Sequence, residues 1–234
     1  MNFFYYPEIS GLEVILPEEE SKHCIRVLRL KKDESLYLVD GRGTLFHALL
    51  VDPDLRKAKV KIVESVPRYR QRIHYLHIAI APTKNTDRFE WFLEKTTEMG
   101  IDEITPIICA RSERETVHVE RARRILISAM KQSKRAYLPV LNSVKTFVNV
   151  LSDIHAKSKI ITHCNVENLP LIGAGLMHTS PAIILIGPEG DFTVQEVELA
   201  VRNGYSEASL GPFIYRTETA GIMACHEFNL IFGQ

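Results

Sequence analysis

Two glycine-marked turns near the carboxyl end of the chain carry the polar groups best suited to chemistry. The first turn, residues 185–190, reads Leu-Ile-Gly-Pro-Glu-Gly, and the second, residues 210–220, contains Arg-Thr-Glu-Thr-Ala. Each turn contributes one carboxylate, Glu189 in the first and Glu218 in the second. Carboxylates repel phosphates but suit ribose hydroxyls, an adenine amino group or a cationic ligand. The turns therefore predict a pocket for such a ligand, and the simpler alternative is a pair of tight strand-to-helix turns.

The residues around the first turn predict the elements that position it. Residues 182–186 are apolar without alternation, which is typical of a parallel strand covered on both faces, and a Gly-Pro pair ends the run. Thr193 predicts the start of a helix over residues 193–201, because Glu196 completes a capping box. Neither turn has the pattern of a phosphate-binding loop or of a dinucleotide fingerprint. Because open parallel sheets bind ligands at the carboxyl ends of their strands, both turns are expected to line one pocket.

The pair of turns resembles the knot loops of the SPOUT class of S-adenosylmethionine-dependent RNA methyltransferases, and more narrowly the RsmE family. That family methylates N3 of a uridine in small-subunit (16S) ribosomal RNA. Further similar elements follow in the family's order, namely residues 23–29 (HCIRVLR), residues 87–100, Arg111 with Ser112, Gln132 and Ser133 with Arg135, and Pro139. The sequence departs from the family pattern at Asp191, Phe213 and Tyr215, which leaves the chemistry intact and concerns the pocket wall.

The amino-terminal part of the chain is rich in strand-like runs. Residues 35–39, 43–51 and 58–63 are short runs of this kind, separated by turn signals that contain Gly, Asp and Pro. A small barrel accommodates them, with a helix predicted over residues 18–30. The resemblance implies a PUA-like β-barrel that binds RNA.

The pattern of strand-like and helical segments changes after the linker at residues 67–72. From the strand predicted at 73–80 onward, strands alternate with helical segments, which indicates an α/β fold with a parallel sheet. The resemblance implies two domains, a PUA-like β-barrel RNA-binding domain at 1–70 and a SPOUT methyltransferase domain at 71–234. It also implies a carboxyl-terminal trefoil knot, which sequence periodicity does not reveal.

The resemblance implies S-adenosylmethionine as the cofactor and assigns its contacts to the two turns. The expected cofactor-binding residues are Ile186, Gly187, Pro188, Glu189, Gly190, Leu210, Gly211, Thr217, Thr219 and Ala220. The expected catalytic residues are Arg216, Glu218 and Glu189. A carboxylate would accept the N3 proton or orient the base, and Arg216 would stabilise the developing uracil anion. A structural ion pair between Arg216 and Glu218 is the alternative, and the reaction needs no metal.

Basic residues in both parts of the chain are candidates for RNA contacts. The candidates are His23, Arg26, Arg29, Lys84, Arg88, Arg111 and Arg135. The first three recur at a spacing of three, which predicts a shared face if the segment is helical, or simply an exposed amphipathic helix. Although the net charge of the chain is zero, residues 111–135 carry +5 and residues 136–234 carry −4. This segregation favours a basic surface for RNA beside a less basic cofactor region.

Composition and termini complete the expectations for partners. The chain has 234 residues, 45% of them hydrophobic, with no apolar run long enough for a membrane span and no signal-peptide pattern, so a cytoplasmic protein without membrane contact is expected. Its four scattered cysteines are interpreted as small apolar fillers and not as metal ligands.

The partners expected are small-subunit ribosomal RNA, within an assembled subunit, and a second copy of the chain. The carboxyl-terminal segment 220–232 places apolar residues around much of a helix, which favours a homodimer with the pocket at its interface, or burial within one chain. Two alternative functions stay open: an inactive RNA-binding assembly factor, and a SPOUT methyltransferase acting on another base or on a ribose 2′-hydroxyl.

Overall fold

A computed structural model describes residues 2–152, 156–166, 168–176 and 180–233. The chain divides into two compact units. The amino-terminal unit comprises Met1–Gln71 and Ile127–Leu138, and the carboxyl-terminal unit comprises Arg72–Leu126 and Pro139–Gln234. Among the described residues, no helix combines the length and apolar character that a membrane crossing requires.

The amino-terminal unit is built on a curled five-stranded sheet with the strand order β1-β3-β4-β5-β2. Its strands are β1 (Phe3–Tyr5), β2 (Glu13–Ile15), β3 (Ser35–Val39), β4 (Leu45–Asp52) and β5 (Lys59–Val66). Antiparallel pairing joins β3 to β4, β4 to β5 and β5 to β2, and the inward side chains of this sheet include the fully buried Leu36, Leu38 and Val60. The three strands predicted in this region are confirmed, with shifted ends for β4 and β5.

The helix predicted over residues 18–30 is wrong in its length and geometry. Helix α1 covers only Glu18–Lys22, and a π-helical turn, His23–Val27, follows it. In that turn the N–H of Leu28 donates to the carbonyl of His23, one residue further back than in an α-helix. Arg29 lies beyond the helical segment with φ 55°, so it does not share an α-helical face with His23 and Arg26.

The carboxyl-terminal unit contains a parallel sheet with the order β12-β10-β11-β6-β7-β8, and β9 also pairs with β7. Its strands are β6 (Leu76–Ile80), β7 (Glu103–Ile108), β8 (Val140–Leu141), β9 (Lys145–Thr146), β10 (Ser158–Thr162), β11 (Ala182–Ile186) and β12 (Ser206–Ala208). All five residues of β11 are buried, as expected for a strand covered on both faces. The α/β prediction is confirmed, and the knot stays a prediction.

Helices alternate with these strands. They are α2 (Thr86–Met99), α3 (Val119–Gln132), α4 (Phe147–Leu151), α5 (Ile172–Gly175), α6 (Val194–Arg202) and α7 (Thr217–Phe232). The predicted capping box of α6 is confirmed, because Thr193 and Glu196 exchange hydrogen bonds between side chain and main chain. The last part of α3 belongs to the amino-terminal unit.

Helix α7 lies unusually close to α2 and β6, and Gly221 allows this approach. A Cβ atom at Gly221 would lie 2.6 Å from Cε2 of Phe92 and 3.0 Å from Cδ1 of Ile80. Carbon atoms at optimal separation lie about 3.5–4.0 Å apart, so any side chain at this position would displace the helix. The contact therefore fixes the first turn of α7, where Thr217 and Glu218 lie.

Candidate functional site

The two glycine-marked turns meet at the carboxyl ends of the parallel strands, where they line a cleft of about 490 Å³. The first turn follows β11 and the second follows β12, as the sequence pattern predicts. Eight predicted cofactor residues line the cleft: Ile186, Gly187, Pro188, Glu189, Gly190, Leu210, Thr217 and Ala220. The other two, Gly211 and Thr219, adjoin lining residues in the chain without lining the cleft themselves.

A buried hydrogen bond joins the two turns. The hydroxyl of Thr217 donates to the carbonyl of Gly187 over 3.0 Å. Because an unpaired buried hydroxyl costs free energy, this bond holds the turns at a fixed separation. Thr217 thus has a structural task in addition to the ligand contact predicted for it.

Glu189 is anchored to a third loop. Its side chain is exposed, and Oε1 accepts a hydrogen bond of 2.9 Å from the main-chain N–H of Lys84, in the loop between β6 and α2. Arg111 braces the same turn, since Nη1 donates to the carbonyl of Gly190 over 2.7 Å. The carboxylate of Glu189 therefore shapes the rim of the cleft and keeps its remaining acceptor capacity for a ligand.

Glu218 lies in the first turn of α7 and is only 5% exposed. Its Oε1 is 3.8 Å from Nε of Arg88, and its Oε2 is buried without a hydrogen-bond partner in the described part of the chain. The amino end of the helix favours a negative charge at this position. A buried acceptor left unpaired is costly in a folded protein, which distinguishes Glu218 as a functional candidate.

Arg216 differs from Glu218 in its surroundings. It precedes the first residue of α7, lines the cleft and is exposed. Among the described residues, the basic side chain within 4.0 Å of Glu218 is that of Arg88, so the Arg216–Glu218 ion pair considered as an alternative is not formed. The guanidinium of Arg216 is thereby available at the mouth of the cleft.

The glycines of the turns are required for different reasons. A Cβ atom at Gly187 would lie 3.1 Å from the buried ring of Phe192, which belongs to the core of the unit. Gly211 has φ 135°, a conformation that side chains rarely adopt, and a Cβ there would lie 3.3 Å from the hydroxyl of Tyr215. Gly187 is therefore required by packing beneath the cleft, and Gly211 by its backbone conformation.

A third wall of the cleft, which sequence reasoning missed, follows β10. It consists of Thr162, His163, Cys164 and Asn165, and it is tied to the first turn because the carboxylate of Asp191 accepts the N–H of Cys164 over 2.8 Å. This turn contains no glycine or proline, so it lacks the signals by which the other two were found. The apolar run that precedes it was the only available indication.

His163 is the buried centre of this third wall. Its Nδ1 accepts the N–H of Asn165 over 3.2 Å, so its Nε2 carries the proton and donates to Glu207 over 3.1 Å. Asn165 in turn donates from Nδ2 to the carbonyl of Phe192 over 3.0 Å. These bonds fix the loop after β10 relative to β12 and to the first turn.

The cysteines only partly fit the prediction of apolar fillers. Cys24, Cys109 and Cys225 are buried, and burial raises the pKa of Cys24 to about 11. Cys164 is exposed and lines the cleft, so the prediction is wrong for this residue. The sequence around Cys164 lacks the Gly and Pro residues that mark a surface turn, so it did not indicate that this thiol would be exposed.

The predicted RNA-binding residues lie in both units. His23, Arg26 and Arg29 are exposed in the amino-terminal unit, which also contains the partly buried Arg135. In the carboxyl-terminal unit, Lys84, Arg88 and Arg111 lie beside Glu113, Glu218 and Gly190, respectively. The Lys84–Glu113 pair raises the pKa of Lys84, but both side chains are largely exposed, so the pair adds little stability.

Known proteins similar to this chain cover its whole length. Residues 70–229 match the family of RNA methyltransferase domains, and residues 16–63 match the RNA methyltransferase PUA domain. Ribosomal RNA small subunit methyltransferase E of Synechocystis sp. is 30% identical over 230 residues, which cover 96% of this chain and 75% of the relative.

Solved structures agree with this similarity. A probable rRNA-methyltransferase from Porphyromonas gingivalis superimposes with a TM-score of 0.93 at 37% identity, covering 99% of this chain and 98% of that one. A ribosomal RNA small subunit methyltransferase E from Neisseria gonorrhoeae, bound to S-adenosyl methionine, gives 0.90 at 26% identity with the same coverage.

The similarity confirms the resemblance predicted from the two turns and the elements that precede them. The RNA methyltransferase match extends over most of the chain, and the PUA match falls on the curled sheet. The fold is therefore of the SPOUT type that the resemblance implied. The chain belongs to the family of RNA methyltransferases that comprises the ribosomal RNA small subunit methyltransferases E.

Proposed function

We propose that this protein transfers a methyl group from S-adenosylmethionine to N3 of a uridine in 16S ribosomal RNA. The observation that carries the proposal is the cleft built from two main-chain turns at the carboxyl ends of β11 and β12. Glu218 does not line this cleft, but it is buried directly after the lining residue Thr217. A relative of the same fold, 26% identical over 99% of this chain, holds S-adenosyl methionine. The cleft volume of about 490 Å³ is within the range of small-molecule sites.

The residues of the cleft suit this cofactor chemically. Main-chain groups of Gly187, Gly190 and Leu210 bind the adenosine part, and the exposed carboxylate of Glu189 attracts the cationic sulfonium end. The bound cofactor supplies an activated methyl group. The protein must therefore hold the uracil in line with that methyl and remove one proton.

Bond making and proton transfer then follow a simple course. The N3 lone pair forms the new N–CH₃ bond while the S–CH₃ bond breaks, and the sulfonium becomes a neutral thioether. The N3 proton goes to the carboxylate of Glu218, or to that of Glu189. Arg216 stabilises the negative charge that develops on the uracil carbonyl oxygens, because its exposed guanidinium lies at the cleft mouth.

Residues 1–70 act as the RNA-binding domain and residues 71–234 as the methyltransferase domain. The substrate is small-subunit ribosomal RNA within an assembled subunit, so the protein works in the cytoplasm where subunits are made. It acts as a homodimer without a membrane or a metal.

The test uses small subunits purified from cells that lack this protein. They are incubated with the protein and radiolabelled S-adenosylmethionine, and the modified nucleotide is mapped. Label on N3 of one uridine is the expected result. Label on a ribose 2′-hydroxyl or on another base would contradict methylation at N3. Binding of both S-adenosylmethionine and RNA without methyl transfer would favour an inactive assembly factor.

A further inference from the structure

We propose that the amino-terminal unit holds RNA phosphates on a basic surface formed by Arg42, Arg68, Arg70, Lys134 and Arg135 around Tyr137, here called the Tyr137 surface. The inference rests on the proposed function, since RNA is the substrate there. Of these residues, only Arg135 was predicted from the sequence to contact RNA. The Tyr137 surface is separate in sequence from His23, Arg26 and Arg29.

Main-chain hydrogen bonds bring three segments of the unit together at this surface. Arg42 and Tyr137 face each other in an antiparallel bridge, and the N–H of Gly43 donates to the carbonyl of Ala136 over 2.9 Å. The N–H of Tyr69 donates to the carbonyl of Gly43 over 2.8 Å. The turn that carries Arg68 and Arg70 is thus held beside the segment that carries Lys134 and Arg135.

Gly43 is the residue that permits this arrangement. It has φ 105°, and a Cβ atom there would lie 2.2 Å from the ring of Tyr137. The ring therefore lies directly on the main chain of Gly43, half-buried among the basic residues. Burial and the Asp40 carboxylate raise the pKa of Tyr137, and Arg68 opposes them, so both charges lie within electrostatic reach of the phenol.

Four charges of the Tyr137 surface, those of Arg42, Arg68, Arg70 and Lys134, form no ion pair within the described residues. Elsewhere, Lys22, Lys84, Arg121 and Arg202 each form an ion pair with a glutamate. Within the described residues, no carboxylate lies within 4.0 Å of the charged groups of Arg42, Arg68, Arg70 or Lys134. The neighbouring acid, Asp40, already accepts the main-chain N–H groups of Arg42 and Thr44.

Three of these basic residues occupy a backbone conformation that favours glycine. Arg68, Arg70 and Lys134 have φ of 54°, 50° and 58°. A non-glycine residue is uncommon there because its Cβ crowds the main chain. Such strained positions are concentrated at functional sites, where a particular side chain is needed.

The ends of two helices provide an internal comparison. Helix α2 ends at Gly100 in the left-handed conformation, where Gly100 and Ile101 donate to Thr97 and Thr96. Helix α3 ends in the same pattern, where Lys134 and Arg135 donate to Lys131 and Met130. This chain therefore places a lysine where the same motif elsewhere carries the favoured glycine.

The exposed Arg42, Arg68, Arg70 and Lys134, which have no carboxylate partner in the described part of the chain, fit the RNA backbone. Arginine presents a planar fork that matches two phosphate oxygens, and each phosphate neutralised releases counterions. A surface of this kind binds without reading sequence, so it orients the RNA and leaves the choice of nucleotide to the cleft.

The first test compares two double variants of the whole protein. In Arg68→Gln/Arg70→Gln the Tyr137 surface loses two charges, whereas Lys59→Gln/Lys61→Gln removes two exposed charges from β5 as a control. Binding to a 16S ribosomal RNA fragment is measured over a salt series. We expect the slope of log K against log salt to fall by about 2 in the first variant and by much less in the control.

A second variant, Lys134→Gly, separates binding from folding. Glycine relieves the strained backbone, so the melting temperature should stay unchanged or rise by up to about 4 °C, while the salt slope falls by about 1. A merely structural role for Lys134 would give an unchanged slope. Unchanged slopes in both this variant and Arg68→Gln/Arg70→Gln would overturn the inference.

Failure of the proposed function and failure of this inference give different experimental results. If the wild-type protein methylates no RNA, the proposed function fails whatever the variants do. If the wild type is active and the variants bind free RNA normally but lose binding to assembled subunits, the surface contacts a ribosomal protein and the inference of a phosphate site is wrong.

Discussion

At the scale of single residues, Glu218 lies in surroundings that differ from those of the second candidate carboxylate, Glu189. It is buried at the start of α7, its one basic neighbour is Arg88 at 3.8 Å, and one of its oxygens has no partner among the described residues. Glu189, by contrast, is exposed and fixed by the N–H of Lys84. These surroundings favour Glu218 as the proton acceptor of the proposed reaction and Glu189 as the carboxylate that attracts the cofactor.

The first prediction concerns Glu218→Gln, which keeps the shape of the side chain and removes its charge. Loss of a proton acceptor should reduce the single-turnover rate of methyl transfer by about 10²–10⁴, while the melting temperature changes little. Glu189→Gln, the matched control, should mainly weaken S-adenosylmethionine binding in titration calorimetry. A Glu218→Gln protein with a lowered melting temperature and a normal single-turnover rate would show that Glu218 is a structural residue.

The second prediction separates two glycines of the same turn. Gly187→Ala should lower the free energy of unfolding by about 1–3 kcal/mol, because the added Cβ presses on the buried ring of Phe192. Gly190→Ala should cost less, since the nearest atoms to its Cβ would be those of the exposed Arg111 at 3.3 Å and not those of a ring in the core. Urea denaturation of both variants measures the difference. Equal losses of stability would mean that the turn itself, and not packing against Phe192, requires glycine at position 187.

At the scale of elements, hydrophobic periodicity and turn signals predicted the strands and helix ends that are determined by residues close together in the sequence. Strand β11 and the capping box of α6 follow from an unbroken apolar run and from Thr193 with Glu196. The π-helical turn after α1 could not be predicted, because it depends on which carbonyl the N–H of Leu28 reaches. The loop after β10 was missed for a related reason, since its place at the cleft depends on long-range bonds to Asp191 and Phe192.

The third prediction concerns the contact between α7 and α2. Gly221→Ala would place a Cβ 2.6 Å from the ring of Phe92, so overpacking should cost about 1–3 kcal/mol of stability and shift the first turn of α7. Methyl transfer should fall with it, because that turn carries Glu218. The substitution Phe92→Leu in the Gly221→Ala background makes room for the added methyl. A double-mutant cycle without coupling between the two sites would contradict the predicted contact.

At the scale of the whole molecule, alternating and unbroken runs of apolar residues predicted a β-rich part followed by an α/β part. They did not predict that residues 127–138, which begin inside α3, belong to the amino-terminal unit. That assignment depends on Met130 and Ala136, which join the buried cluster of Phe3, Val39 and Leu45. Such contacts are distant in sequence, so no local pattern encodes them.

The last prediction is the homodimer. In one chain, α7 buries Ala224, Cys225 and Phe228, but Leu230 is 64% exposed and Met223, seven residues earlier on the same helical face, is only half-buried. An apolar face of this kind at the end of a helix is covered well by a symmetric copy.

Light scattering coupled to size exclusion should therefore give about twice the chain mass of 26.7 kDa. Leu230→Lys should yield monomers, because a buried lysine without a partner is costly at an interface. The control Val148→Lys changes an equally exposed apolar residue on α4 and should leave the dimer intact. If the pocket needs a wall from the neighbouring copy, the Leu230→Lys monomer should also bind S-adenosylmethionine weakly. A stable monomer of full activity would show instead that one chain completes its own site.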